Sequence, residues 1–447
     1  MPPLIISVSG IRGIVGSGLD SEKVCRFASA FGAWCGKGPV IVGRDSRTSG
    51  AMLNRAILTG LQSVGADVID LGIVPTPTVL FTVREEQAAG GVAITASHNP
   101  IEWNGLKFVG PSGTFLDDGE GSELLKIYAG DRAEKKKWDG LGRVEHRSDA
   151  ISRHVDRILA LDIIQTDRIR RRKFKVALDC VNGAGSEASP LLLELLGCEV
   201  IPLYCTPTGL FPHPAEPIPE HLTELCDVVK KQGADIGFAN DPDADRLAIV
   251  SEAGAAIGEE YSLALTAKFV LSKKRGPIVA NLSTSRMLDD IAEEYGVEVH
   301  RTPVGEVHVA QKIVEVGAPI GGEGNGGVIF QELNLGRDAL VGMALILQYM
   351  AETGKAISEL KQGIPEYAIV KRKYEPTKMD KDAALKAIRE AYDGEEMDLR
   401  DGIKLLRERS WLHVRKSNTE PILRAVAEAP TKKQAEAFQE EVAEKFC

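Results

Sequence analysis

At 447 residues the chain is too long for one compact core, so two to four domains are expected. Hydrophobic residues make up 43% and charged residues 26%, an ordinary globular balance, and no apolar run reaches the ~18 residues that a membrane span needs. A net charge of −10 argues against wholesale nucleic-acid binding but leaves room for a local basic pocket around a small anion. The N-terminal MPPLIISVSG lacks the basic flank and the length of a secretory leader. The seven cysteines (Cys25, Cys35, Cys180, Cys198, Cys205, Cys226 and Cys447) include no C-x-x-C pair. They read as buried free thiols in a reducing cytoplasm.

SGIRGIVG (9–16) places Arg12 among glycines, within reach of a phosphate or of a surface carboxylate. PVIVGRDSRTSG (39–50) is then the first of three segments that read alike, with FKVALDCVNGAGS (174–186) and GPIVANLSTSR (276–286). Each is a short apolar run ending in Gly, Ser or Asn, followed by a helical pattern. A second β-rich run follows each time, at 65–72, 197–204 and 296–303, then another helix, then a third strand that ends in a polar loop. The loops are TASHNP (95–100), DPDADR (241–246) and GEGNGG (322–327).

This repetition predicts three similar α/β domains with mixed, mainly parallel sheets. Ligands gather beyond the carboxyl ends of such strands, so the three loops can face one cleft. SRHVDRILALDIIQTDRIRRRK (152–173) reads as a charged helix leading into the second domain, its arginines on a solvated face. Residues 381–392 read as a helix, 403–417 and 422–429 as strands, and 431–446 as a closing amphipathic helix, together a C-terminal α+β domain. The boundaries read as 1–150, 151–253, 254–368 and 369–447, with a hinge near 366–372.

DPDADR alternates its acids, so an extended segment turns Asp241, Asp243 and Asp245 to one side. Three adjacent carboxylates repel unless a hard cation neutralises them, and Mg²⁺ is the default at a phosphate site. A calcium-binding EF-hand is excluded because Arg246 stands where that loop needs Gly and a strand follows. In RKSNTEPILR (415–424), Arg415, Ser417, Asn418, Thr419 and Arg424 crowd donors around a turn, which suits a phosphate. GEGNGG lets backbone approach a ligand, with Glu323 and Asn325 able to bond sugar hydroxyls. Asp45 and Arg47 read as an inter-domain ion pair. Ser97 is open to three readings: helix cap, turn residue or nucleophile. The flanking glycines of a hydrolase elbow are absent, and a serine near a metal triad and a phosphate nest points to phosphoryl transfer.

SGIRG, TASHNP with WNGLKF (103–108), DPDADR, GEGNGG and RKSNTEPILR, in this order, resemble the α-D-phosphohexomutase family over nearly the whole chain. The resemblance implies four domains around a central cleft and sugar phosphates as ligands. It implies that Ser97 is a phosphoserine and Asp241, Asp243 and Asp245 are Mg²⁺ ligands beside it. Arg12 would spread transferring charge, and Lys107 would assist proton transfer or stabilise the phosphoryl group. Arg246 and Glu323 would contact the sugar, and Arg415, Ser417, Asn418, Thr419 and Arg424 would clamp the distal phosphate. The reaction implied is the exchange of hexose 6- and 1-phosphates through a bisphosphate. Two departures stand out. Many members carry G-E-x-S-G-H, where this chain has Asn325 for the Ser and Gly327 for the His, which leaves His98 as a candidate acid/base. Glu306 stands where sugar-neutral members often have His. An acid there suits the amine of glucosamine phosphate, or serves as a helix N-terminal residue. Phosphomannomutase or phosphoglucomutase activity is the alternative, followed by a non-catalytic binder and a metal-dependent phosphatase. The sequence carries no signal of oligomeric state.

Overall fold

The computed structural model describes residues 4–7, 10–375, 380–416 and 422–446. Three sheets share one plan, and β-branched runs such as VIVGR, KVALD and IVAN build their central strands, buried on both faces. In the first domain the order is Val68–Ile73, Val40–Arg44, Gly90–Ile94 and Trp103–Val109. In the second it is Glu199–Leu203, Lys175–Asp179, Ile236–Asn240 and Leu247–Ser251. In the third it is Val299–Thr302, Ile278–Asn281, Ile320–Glu323 and Gly327–Phe330. Each time three strands run parallel and the fourth returns antiparallel. Each polar loop therefore spans the gap between a central strand and this returning strand, anchored at both ends. The first sheet is extended by Ile5–Ser7 and Gly10–Ile14 at one edge and Val144–His146 at the other.

One apolar core runs through these three domains, containing Ile41 and Val79 of the first, Leu192 and Phe238 of the second, and Leu345 of the third. Its axis is the helix Ala339–Thr353, buried on nearly every side, as an apolar surface all round requires. It packs against Ala150–Leu159, Thr166–Arg172, Gly185–Leu195 and Glu260–Lys273. Asp338 caps it by accepting from the N–H of Leu340 and Val341. The same carboxylate lies 2.9 Å from His154 Nε2, whose Nδ1 meets Thr78 Oγ1 at 3.0 Å. His154 is fully buried and ties the first three domains together at one imidazole.

The charged segment 152–173 forms two helices, Ala150–Leu159 and Thr166–Arg172, rather than one. Between them the chain turns, and Gln165 N–H is taken by Gln348 Oε1 of the axial helix. Arg170, Arg171 and Arg172 are exposed, as expected. Of the described cysteines only Cys180 is buried; Cys25, Cys35, Cys198, Cys205 and Cys226 are half-buried, and all six are free thiols. Cys447 lies outside the described residues. No helix among the described residues is long and apolar enough to cross a membrane.

The fourth domain is an antiparallel sheet in the order Ala368–Tyr374, Leu423–Ala429, Ser410–Lys416, Ile403–Arg407 and Glu396–Asp398. In place of the one strand expected over 403–417, Ile403–Arg407 and Ser410–Lys416 form a hairpin that turns at Glu408 and Arg409, so that Arg407 pairs with Ser410. The region expected as a hinge is mostly strand, and the connection without regular structure is 365–367. This domain has its own core around Ile388, Leu405, Leu412 and Phe438. It docks on the third domain through polar groups: Lys404 Nζ on Leu282 O at 2.7 Å, Ser283 Oγ with His413 Nδ1 at 2.8 Å, and Arg286 N–H on Glu428 at 2.9 Å. Lys404 also sits 4.2 Å over the Trp411 ring.

Two outcomes are expected. His154→Ala strands the Asp338 carboxylate in the core and should cost about 2–3 kcal/mol in urea unfolding. Burial, aided by Arg301, lowers the Lys404 pKa to about 7. Above that pH the unfolded chain holds a proton here that the folded chain lacks, so stability contributed at this position rises with pH up to the ordinary lysine range. Unfolding midpoints of the parent relative to Lys404→Met should therefore rise between about pH 7 and pH 9.5.

Candidate active site

The loop 95–102 follows the wholly buried strand Gly90–Ile94, so its direction is set by the sheet. Thr95 Oγ1 accepts from Ser97 N–H at 2.8 Å and donates to Asp45 Oδ2 at 2.7 Å. Ser97 has φ 50°, a left-handed conformation that a non-glycine residue holds only when its surroundings impose it. No helix follows, so Ser97 caps none. Arg47 does the imposing: fully buried, it donates to the carbonyls of Ser97, Asn99, Pro100 and Trp103 at 2.5, 2.7, 2.7 and 3.1 Å. Its Nε pairs with Asp45 at 3.0 Å. The Asp45–Arg47 pair thus lies within the first domain, not between domains. The link to the second domain comes instead from Ser46 Oγ on Asn182 O at 2.7 Å and from Arg47 over the Phe211 ring at 4.9 Å.

Asp241–Arg246 is a tight turn rather than an extended segment, with Ala244 at φ 52°. Asp241 Oδ1 accepts from the N–H of Asp245 and Arg246, closing the turn. Curvature, not alternation, brings the three carboxylates together. All three are buried, and one ligand oxygen from each lies within 4.8 Å of the others. Asp241 Oδ2 accepts from Ser97 Oγ at 2.9 Å. Asp243 Oδ2 accepts from Thr76 Oγ1 and Lys107 Nζ, both at 2.7 Å. Asp245 Oδ2 accepts from Lys107 Nζ at 3.1 Å and Arg337 at 2.6 Å. Asp243 Oδ1 and Asp245 Oδ1 are buried with no hydrogen-bond partner. A buried carboxylate oxygen without a hydrogen-bond partner is costly unless a cation takes it, so this donor set fits a hard divalent ion.

Titration behaviour follows from the same crowding. Burial foremost, then Asp243 and Asp245, push Asp241 well above the ordinary carboxylate range. Burial also works against Asp243, but Lys107 and Thr76 hold it below its usual value. Lys107 loses solvation too, yet Asp243 and Asp245 outweigh that and raise its pKa, so it stays an ammonium. Arg246 foremost, then burial and Arg12, hold His98 well below its ordinary value, so its imidazole is neutral near pH 7. Its Nδ1 lies 3.4 Å from Ser97 Oγ. Arg12, on the strand Gly10–Ile14 that extends the first sheet, reaches Asn99 Oδ1 at 2.9 Å.

Around this centre, Arg246 NH1 meets Glu216 at 3.2 Å. Glu323 Oε1 accepts from Asn281 at 2.7 Å and its Oε2 from Arg337 at 2.7 Å, with Asn325 Nδ2 at 3.4 Å. Burial notwithstanding, Arg337 and Asn281 keep Glu323 below its ordinary pKa. Glu306 is the first residue of the helix Glu306–Val316, and both its oxygens are taken by Arg337 at 2.9 Å. The expected free carboxylate for a sugar amine is therefore already engaged, and burial raises its pKa to about 7. Arg415 and Arg424 face each other in register on neighbouring strands, and Arg415 senses the charge of Glu323. Ser417, Asn418 and Thr419 lie outside the described residues. Arg337, Thr76 and Glu216 were not singled out from the sequence; only the polar–Gly run NLGRD before an apolar helix hints at Arg337.

The four domain models of the phosphoglucomutase/phosphomannomutase family match this chain: the alpha/beta/alpha domains I, II and III over residues 4–135, 152–254 and 259–367, and the C-terminal domain over 368–445. A protein named probable phosphoglucosamine mutase from Methanopyrus kandleri is 38% identical, covering 97% of this chain and 95% of its own. A phosphoglucomutase/phosphomannomutase from Thermococcus kodakarensis is 37% identical, covering 96% of each. The crystal structure of a family protein from Burkholderia thailandensis superposes with a TM-score of 0.85 at 29% identity, over 98% of this chain and 97% of that one. With all four domains matched in order and relatives aligned along nearly its full length, the chain belongs to the phosphoglucomutase/phosphomannomutase family of phosphohexomutases, isomerases that act as intramolecular phosphotransferases.

Proposed function

We propose that the protein interconverts hexose 6- and 1-phosphates through a phosphoserine at Ser97, with glucosamine phosphate as its preferred substrate. The observation that carries the serine's role is its Oγ, held in a left-handed turn 2.9 Å from a buried carboxylate of the Asp241–Asp243–Asp245 group. A phosphoserine carries about −1.5 to −2 charges, which three bare carboxylates would repel. Mg²⁺ held by Asp241, Asp243, Asp245 and the Ser97 phosphate would supply the neutralising charge and polarise the transferring group.

In the forward step the P–O bond to Ser97 Oγ breaks and one forms to the free hydroxyl of the sugar monophosphate. The hydroxyl proton goes to a neutral base, and the His98 imidazole, 3.4 Å from Ser97 Oγ and held below its ordinary pKa, supports that reading. The resulting bisphosphate turns over, and the other phosphoryl group returns to Ser97 Oγ. Lys107 keeps its proton, so its part is to spread developing negative charge, with Arg12 beside it. Arg246, Glu323 and Asn325 bond the sugar, and Arg415 and Arg424, with Ser417, Asn418 and Thr419, clamp the phosphate not being transferred. The glucosamine preference rests on relatives named as probable phosphoglucosamine mutases; the Thermococcus relative supports mannose or glucose phosphate as the second reading. Free thiols on five half-buried cysteines suit a reducing cytoplasm.

Three measurements test this. Intact mass should reveal one phosphoryl group, lost in Ser97→Ala together with turnover; full activity in that variant defeats the mechanism. Initial rates on glucosamine, mannose and glucose phosphates should rank glucosamine first, and equal rates defeat the preference. Arg47→Lys cannot hold four carbonyls at once, so the Ser97 loop should loosen and kcat fall about 10–100-fold with little change in KM.

A further inference from the structure

We propose that Arg337 is a positioning residue for phosphoryl transfer, orienting Asp245 of the metal loop and Glu323 of the sugar loop as one unit, and that Gly327 is a glycine in order to admit its side chain. The proposal rests on the reading that the three aspartates hold a divalent cation.

Arg337 is only 8% exposed and spends every guanidinium nitrogen on a different carboxylate. NH2 donates to Asp245 Oδ2 at 2.6 Å, NH1 to Glu323 Oε2 at 2.7 Å, and Nε to Glu306 Oε2 at 2.9 Å. The backbone N–H holds Glu306 Oε1 at 2.9 Å, so the residue is anchored at its root as well as its tip. These carboxylates raise its pKa well above the ordinary value despite burial, so the charge is permanent.

The consequence for Asp245 is directional. Arg337 and Lys107 occupy Oδ2, leaving Oδ1 buried without a hydrogen-bond partner, with Arg246 Nε 4.0 Å away. Asp243 shows the same division, with Thr76 and Lys107 on Oδ2 and Oδ1 unpartnered. Arg337 therefore does for Asp245 what Thr76 does for Asp243: it occupies one oxygen and leaves the other, which would be free for a cation. Groups that orient metal ligands in this way are worth about 10–100-fold in metal affinity. Because the same planar group also holds Glu323, the two loops cannot shift independently. A lysine, a point charge without a fork, cannot serve all three partners.

Gly327 supplies the second, independent observation. A Cβ on it would lie 2.1 Å from Arg337 Cδ and 2.8 Å from Cγ. Its backbone is not left-handed, so conformation alone would accept any residue there. The missing side chain is demanded by space, and the space is filled by Arg337.

The test uses the full-length protein, Mn²⁺ titration followed by electron paramagnetic resonance, and steady-state kinetics. The parent should bind Mn²⁺ and Asp243→Asn should not. Arg337→Lys should melt near the parent temperature, bind Mn²⁺ at least about tenfold more weakly, and raise KM for the sugar phosphate. Gly327→Ala should show the same two losses without touching the arginine, and it carries the test if Arg337→Lys does not fold. The double variant should be no worse than the worse single one, because both changes remove one interaction. Parent-like Mn²⁺ affinity and KM in folded Arg337→Lys, or losses that add in the double variant, overturn the proposal alone. A parent protein that binds no Mn²⁺ overturns the reading of the aspartates and this proposal with it.

Discussion

Carboxylate crowding governs this molecule. Asp241, Asp243, Asp245 and Glu323 are buried side by side, with Glu306 close behind them. An isolated buried carboxylate costs several kcal/mol, so each must find a cation or donor, and the surroundings are organised to supply them. Lys107 reaches across from the first domain, Arg337 from the third, and Arg246 from within the turn itself. The domains are held in register by this charge matching as well as by the apolar core behind it. One oxygen each on Asp243 and Asp245 is left without a hydrogen-bond donor, and these mark where the protein still asks for positive charge.

The rigid frame and the reactive loops divide the labour. The axial helix Ala339–Thr353 and the His154 junction fix three domains to one another, so their loops meet in one place. The fourth domain is different in kind: its own core is apolar, but its seat on the third domain is polar and contains groups such as Lys404 and His413 whose pKa values burial lowers to about 7 and about 4. A contact of that sort is cheaper to break than a packed apolar one.

Periodicity made the three repeats and their loops legible, because strand and helix patterns and Gly-rich punctuation are local. The acid spacing in DPDADR pointed to a cation site for a reason that did not survive: the carboxylates converge through a turn at Ala244, not by alternation. Glu306 was noticed, but its partner was not, since Arg337 lies 31 residues away and meets it only after folding. The Arg47 clamp was misread for the opposite reason. Two opposite charges two residues apart looked like a bridge between domains, whereas their task is to hold carbonyls of the neighbouring loop. Long-range convergence of single charged residues leaves no local pattern to read.

The four central strands of the first sheet share their order with the second and third sheets, so each domain presents its loop between the same two strands. Since the strands on both sides hold the loop's ends, its tip can change residues without disturbing the sheet beneath. One strand plan thus carries three different loops, a serine turn, an acidic turn and a glycine-rich turn, whose collaboration requires only that the domains remain side by side. The strands beyond this plan in the first sheet, one of them bearing Arg12, let that domain bring an extra cationic side chain to its loop without altering the shared pattern.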